Sequence, residues 1–271
     1  MSSAFQSSSA ARSGFQYVNK TGGTLAQFVR GFGKLDDRFQ LGQCGLCIAD
    51  LEVKRGETLA IMGPSGTGKS VTLRHAIGLL RPDKGRVLVE GNDLSKLEPQ
   101  ELAGLRRRMG YLFQEGALIN WLSVGENVAL PLRENTDLSD AEIRERVEEK
   151  LGLVQLQGTW DLMPPALSGG MRKRVGLARA LVTDPEIVFY DEPNTGLDPE
   201  ISMSINHIIR DLAERLSITS IVVTHLVSCI LVCADRVALI DQGRVFAEGT
   251  PEDFIRSKNA RLRRFLAEPY D

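Results

Sequence analysis

Eight residues define the chemistry open to this chain. Gly63, Pro64, Ser65, Gly66, Thr67, Gly68, Lys69 and Ser70 read G-P-S-G-T-G-K-S and satisfy the phosphate-loop pattern G-x-x-x-x-G-K-[ST]. The backbone N–H groups of such a loop turn inward on an anion at a helix N-terminus. Glycine is required where the backbone closes on phosphate or takes a positive φ. In this arrangement Lys69 meets the β- and γ-phosphates of a nucleotide, the Ser70 hydroxyl ligates Mg²⁺, and Val71 carries the cradle into the helix. The alternative is an ordinary glycine-rich turn, and the flanks argue against it. Residues 59–62, Leu-Ala-Ile-Met, suit a buried strand, and residues 71–80 suit a helix that Pro82 ends.

A phosphate loop alone fits kinases, GTPases and many ATPases, so a second feature must discriminate. Ile187-Val188-Phe189-Tyr190 is an apolar run that ends in Asp191-Glu192. A carboxylate at the end of a buried strand can hold Mg²⁺ across from Ser70, which suits Asp191. Glu192 is then placed to polarise the attacking water, so the two neighbouring acids divide metal and nucleophile between them. Two surface acids at a strand end are the alternative.

These residues need strands to position them, and the rest of the chain supplies an alternating pattern. Residues 39–53 read as two short strands, Gly56-Glu57 as a turn and 86–90 as a strand. A helix over 99–108 and a strand over 109–113 follow, with Gln114 at the strand's end. The stretch from there to Pro131 reads as loop-rich. Ser139-Asp140-Ala141-Glu142 has the capping-box pattern and opens a charged helix to about Leu151. Pro164-Pro165 closes that region. Residues 168–182 read as loop, then helix, with Arg172, Lys173 and Arg174 on a solvated face. A helix over 200–215, a strand over 218–224, a helix over 227–234 and a strand over 236–240 complete the alternation. The pattern predicts an α/β fold with a mainly parallel sheet covered on both faces.

At 271 residues and 42% hydrophobic, the chain can bury one large core or two modest ones. Its 33 basic and 35 acidic residues nearly balance, for a net charge of −2, which argues against a general nucleic-acid binder. Residues 216–234 have about the length of a membrane span, but Thr219, Ser220, Thr224, His225 and Ser228 fall inside it, where polar groups are costly in lipid. A buried β-branched strand followed by a separate helix fits better. Cys44/Cys47 and Cys229/Cys233 form two close pairs that metal or redox chemistry could use; the plainer reading is small core side chains. Residues 1–35 hold no acid and four bases, Arg12, Lys20, Arg30 and Lys34. They lack the continuous apolar run of a secretory signal, although their Ser-rich composition also suits an organelle transit peptide. Leu25, Phe28, Val29, Phe32 and Leu35 recur at helical spacing, while Gly31 and Gly33 weaken a helix there. A loosely ordered basic extension is the expectation for 1–35.

Five segments together resemble the ABC transporter ATPase family over roughly residues 39–255. Leu167-Ser168-Gly169-Gly170-Met171 looks like its signature motif, Gln114 like its Q-loop glutamine, Gly196-Leu197-Asp198 like its D-loop and His225 like its switch histidine, with Asp191-Glu192 as the acid pair. The resemblance implies a P-loop NTPase (RecA-like) core with a small antiparallel β subdomain and an inserted helical subdomain at about 116–180, within a nucleotide-binding domain over 36–271. It implies two copies closing head to tail, so that Ser168, Gly169 and Gly170 of one cover ATP held by the other. Gln114 would sense Mg²⁺ and water, His225 would orient the water with Glu192, and Asp198 would be the D-loop residue. Phe39 is the candidate for stacking on adenine.

Within that family, residues 66–83, residues 113–134 and a signature ending in Met171 resemble the Mla/Mce phospholipid-transport ATPases. That resemblance implies a membrane permease and an Mce-type lipid-binding protein as partners. It places the chain peripherally on the cytoplasmic face of a bacterial inner membrane, with an organelle as the alternative. Leu118, Ile119, Trp121 and Leu122 lie where family members receive a permease segment, or else belong to the helical core. Leu226 replaces a common acid after the switch histidine, and Asn194 a common Thr after D-E-P. Other transported substrates, or a non-transport role on ribosomes, DNA or cluster assembly, are the competing readings.

Overall fold

The computed structural model of the protein describes residues 26–28 and 51–267. Phe39, Cys44 and Cys47, and the N-terminal residues outside 26–28, lie outside that range. Near the N-terminus, β1 (Ala26–Phe28) pairs antiparallel with β2 (Leu51–Val53), Ala26 facing Val53. The segment with helical spacing therefore contains a strand. Backbone pairing across the sheet outweighs a helix that two glycines already weaken.

The chain then alternates as expected. β3 (Thr58–Met62) leads into α1 (Lys69–Ala76). β4 (Leu88–Val89) and β5 (Asn92–Asp93) precede α2 (Pro99–Arg106) and β6 (Met109–Leu112). Three helices follow, α3 (Val124–Asn135), α4 (Asp140–Leu153) and α5 (Gly169–Leu181), with a 3-10 turn at Pro164–Ala166. β7 (Ile187–Asp191), α6 (Pro199–Leu216), β8 (Thr219–Val223), α7 (Val227–Cys233) and β9 (Arg236–Asp241) come next. β10 (Arg244–Gly249), α8 (Pro251–Arg256) and α9 (Ala260–Ala267) finish the described chain. The main sheet has the order β10-β9-β3-β8-β7-β6. Its pairs are parallel except β9–β10, so the expected mainly parallel core is present, with the small antiparallel pairs beside it.

Alternate residues of the central strands feed two cores, as the two-residue period of a strand requires. Ile187 and Phe189 join Leu59, Ile61, Leu73, Ile221 and Val223 on one face. Val188, Tyr190 and Val222 join Val128, Leu132, Val147, Val175 and Ile209 on the other. Each such side chain removed from water contributes about 1.5–3 kcal/mol. This burial on both faces is why the central strands β3, β7 and β8 are apolar apart from Thr58, Asp191, Thr219 and Ser220.

Four local expectations change. Helix α1 stops at Ala76 because Gly78 takes φ 73, not because of Pro82. The predicted strand at 86–90 is the first arm of a hairpin, turned by Glu90 and Gly91 at φ 51 and 81. The loop-rich stretch before Pro131 contains the start of α3, which Ser123 and Glu126 open with a reciprocal capping box and which runs through Pro131. The missed signal was S-x-x-E ahead of an apolar stripe. Finally, the basic cluster is only partly a solvated face: Arg172 is exposed, but Lys173 is 5% exposed, and Arg174 bonds Gln155 and Ser204.

The stretch 216–234 resolves into β8 and α7. Among the described residues no helix is long and apolar enough to cross a membrane. Cys229 and Cys233 are buried thiols one helical turn apart, with Sγ atoms 4.0 Å from each other. They match the core reading.

Candidate functional site

Parallel strands that share one direction end on one edge, where an open α/β sheet binds its ligands. β3, β7 and β8 are hydrogen-bonded neighbours, so the segments leaving them meet there. β3 delivers residues 63–68. Gly63 has φ 155, and a Cβ on it would lie 2.3 Å from the Ile240 carbonyl oxygen, so only glycine fits. Gly66 and Gly68 take φ 80 and 90, and Gly68 is the N-cap of α1. Thr67 Oγ1 donates to the Pro64 carbonyl at 2.8 Å and closes the loop on itself. Pro64 and Ser65 form its outer turn, and Val71 is half-buried in the first turn of α1.

Lys69 is 8% exposed and its ammonium donates to the carbonyls of Gly63 and Pro64 at 2.8 and 2.9 Å. Burial lowers its pKa, and the nearby Glu192 and Asp191 carboxylates oppose that. Ser70 Oγ donates to Asp191 Oδ1 at 2.7 Å. Tyr111, reaching from β6, donates to Asp191 Oδ2 at 3.0 Å. Burial, then the Asp191 charge, pushes the Tyr111 phenol up, so it remains a donor. The donors around Ser70 and Asp191 are hydroxyl and carboxylate oxygens, the set that suits a hard cation such as Mg²⁺.

Glu192 follows β7 with φ 50, a left-handed conformation uncommon for a side-chain-bearing residue. Its N–H donates to the Val223 carbonyl at 2.9 Å, which ties it to the end of β8. Its Oε2 lies 2.7 Å from His225 Nδ1 and accepts from Thr195 Oγ1 at 3.3 Å. A carboxylate, an imidazole and a lysine beside a phosphate cradle suit attack by water on a phosphoryl group.

The structure thus brings Lys69, Ser70, Asp191, Glu192 and His225 to one edge. It does not bring every candidate there. Gln114 is exposed just beyond β6, and among the described residues no hydrogen bond joins its side chain to Ser70 or Asp191. Ser168 caps α5, accepting from the Met171 N–H at 3.2 Å, with Gly169 and Gly170 as the first helical residues. No hydrogen bond among the described residues links these three to the phosphate loop. Asp198 caps α6 through the Ile201 N–H at 2.9 Å. Phe39 lies outside the described residues.

Sequence reasoning missed Tyr111, Thr195 and Lys173. For Lys173 a signal existed, since it falls with Gly170, Gly176, Leu177 and Ala180 on the buried stripe of α5. For Tyr111 none did, because strand order alone puts β6 beside β7.

Comparison with known proteins agrees with this geometry. The family model described as ABC transporter matches residues 46–195, more than half of the chain. The chain is 47% identical over 218 residues to the intermembrane phospholipid transport system ATP-binding protein MlaF of Haemophilus influenzae, covering 80% of this chain and 82% of that one. It is 42% identical over 216 residues to the probable ribonucleotide transport ATP-binding protein mkl of Mycobacterium leprae, covering 80% of this chain and 62% of that one. The solved dimeric ATP-binding cassette MJ0796, in a post-hydrolysis state with ADP and Pi, superposes with a TM-score of 0.71 at 31% identity, covering 84% of this chain and 97% of that one. By family match, identity and fold, the chain belongs to the ABC transporter family, as an ATP-binding and ATP-hydrolysing cassette built on a P-loop nucleotide-binding core.

Proposed function

We propose that the chain powers phospholipid movement as the ATPase subunit of an inner-membrane ABC transporter. It would work on the cytoplasmic face with a separate permease and an Mce-type lipid-binding protein. The observation that carries the lipid reading is the 47% identity, over four-fifths of both chains, to a protein named for intermembrane phospholipid transport. The 42% identity to a protein named for ribonucleotide transport favours a second reading, the same engine with another substrate.

In the proposed mechanism Lys69 moves from the loop carbonyls to the β- and γ-phosphates of ATP, and the N–H groups of residues 63–70 cradle them. Ser70, Asp191 and Gln114 would hold Mg²⁺, which when bound would neutralise charge on the phosphate oxygens. Glu192 polarises the attacking water, and His225, 2.7 Å from it, fixes that carboxylate and reaches the γ-phosphate. Ser168 and Gly170 sit at the N-terminus of α5, and the first N–H groups of a helix attract anions. Offered to ATP on a second copy, they complete a site that one chain leaves half-built. Asp198 would lie along that seam.

Toward the membrane, Trp121 is 79% exposed while Leu118 packs against the helical core. A cleft of about 220 Å³ is lined by Tyr111, Phe113, Pro131 and Arg179. We assign this region to the permease. The test is purification of the full chain from native membranes, with its bound proteins and lipids identified by mass spectrometry. A polytopic partner, an Mce-type protein and enriched phospholipid are expected. A polytopic partner without them leaves the second reading. A chain that purifies with no membrane partner, or sediments with ribosomes, overturns both.

A further inference from the structure

Helix α5 carries two cations turned toward backbone rather than solvent. The buried Lys173 ammonium donates to the carbonyl of Gln114 and, at 3.2 Å, to the carbonyl of Glu192. Arg179 donates to the carbonyls of Gly116 and Ala117 at 2.7 and 2.8 Å. Between them the two backbones nearly touch. A Cβ on Gly176 would lie 3.2 Å from Gly116 Cα, and one on Gly116 would lie 3.0 Å from the Arg172 carbonyl oxygen. Residues 114–117 are therefore clamped along α5 by cations and by close approach.

Desolvating an ammonium is costly, and an apolar side chain would pack this helix without that cost. Burial lowers the Lys173 pKa, with the charges of Glu115, Glu192 and Asp191 opposing it. The Lys173 Nζ does one thing an apolar group cannot: its hydrogen bonds span two separate loops. Those loops carry Gln114 and Glu192, and the helix that holds the charge begins at Ser168 and Gly170.

We propose that Lys173 is a positioning residue for hydrolysis, holding the backbones of Glu192 and Gln114 in one rigid unit with α5. Engagement of Ser168 and Gly170 by a second copy then moves the water-polarising carboxylate of the same chain. Each copy's ATP is thereby hydrolysed only when that copy's own α5 is engaged. The inference rests on the role of Glu192 proposed above.

The test compares Lys173→Met, which keeps length and loses the donors, with Lys173→Arg, which keeps them, in the full chain purified with its membrane partner. Nucleotide affinity is measured separately without turnover. For Lys173→Met a fall in kcat of about 10- to 100-fold is expected, since small misplacement of a reacting group costs that much. KM for ATP and nucleotide affinity should stay within about threefold of the parent. Lys173→Arg should recover most of the lost kcat. Parental kcat in Lys173→Met, joint loss of ATP affinity and thermal stability with kcat, or an Arg variant no better than Met each overturns the proposal. Glu192→Gln is assayed alongside. If it turns over normally, the role of Glu192 fails; if it is inactive while Lys173→Met is normal, only the Lys173 inference fails.

Discussion

His225 Nδ1 lies 2.7 Å from Glu192 Oε2, across the ends of two adjacent parallel strands. The register pairs Asp191 with Val223, so the residues just past each strand emerge side by side, about one strand spacing apart. The Glu192 N–H to Val223 carbonyl bond at 2.9 Å and the unusual φ of 50 hold the carboxylate at this crossing.

Replacing Glu192 by Gln preserves shape and removes the base. Turnover should fall by about 100-fold or more, equivalent to about 2.7 kcal/mol or more in the barrier. ATP binding should persist, and the ATP-bound dimer should outlive the parent's in size-exclusion chromatography. Lys69→Ala should differ in kind, losing ATP affinity itself. Nucleotide titration of the two variants separates these effects, and equal affinity loss in both would contradict the assignment.

Asp191 is held at both oxygens, by Ser70 at 2.7 Å and by Tyr111 at 3.0 Å. Tyr111→Phe removes one of these bonds, worth about 1–3 kcal/mol to a buried charged acceptor. The Mg²⁺ concentration needed for half-maximal hydrolysis should rise about fivefold or more, with ATP affinity in the absence of metal unchanged. An unchanged Mg²⁺ dependence would remove Tyr111 from the site.

Asn127 is fully buried. It accepts from the Ile119 N–H at 2.7 Å, and its two N–H donors are shared among the carbonyls of Ile119, Leu122 and Ser123, each 3.0 Å away. It thus pins the loop that presents Trp121. Asn127→Ala should cost about 2–3 kcal/mol, because those backbone groups lose their partner. The corresponding fall in Tm is about 5–10 °C, readable by differential scanning fluorimetry. The apo chain should also show faster amide exchange at residues 119–123 and little change at 63–70.

Two glycines of the phosphate loop should respond differently to a methyl group. Gly63→Ala drives a Cβ into the Ile240 carbonyl, whereas at Gly66 a Cβ meets nothing within 4 Å. Gly63→Ala should lower ATP affinity and stability together, by at least about tenfold in Kd. Gly66→Ala carries only the left-handed backbone cost of about 1–2 kcal/mol. Similar losses at the two positions would mean that contact with Ile240 is not what demands glycine.

The sequence by itself determined the chemistry of the edge. Glycine, lysine and serine at fixed spacing admit little besides a phosphate cradle, and the apolar runs ending in Asp191 and before His225 read best as buried strands. Backbone rules of this kind act within a few residues, so they are legible in the string. Helix α3 was legible too, in Ser123 and Glu126, but Pro131 obscured it. Tertiary structure alone decided which strands are neighbours, and hence that Tyr111 meets Asp191; it set the 2.7 Å contact of Glu192 with His225, a pair that the family resemblance had implied. It also turned Lys173 inward, because the partners that hold it are carbonyls 19 and 59 residues away. Helix periodicity marked Lys173 as inward-facing but not which carbonyls it meets, and strand order left no local mark on Tyr111, whereas a loop that must close on a phosphate is legible residue by residue.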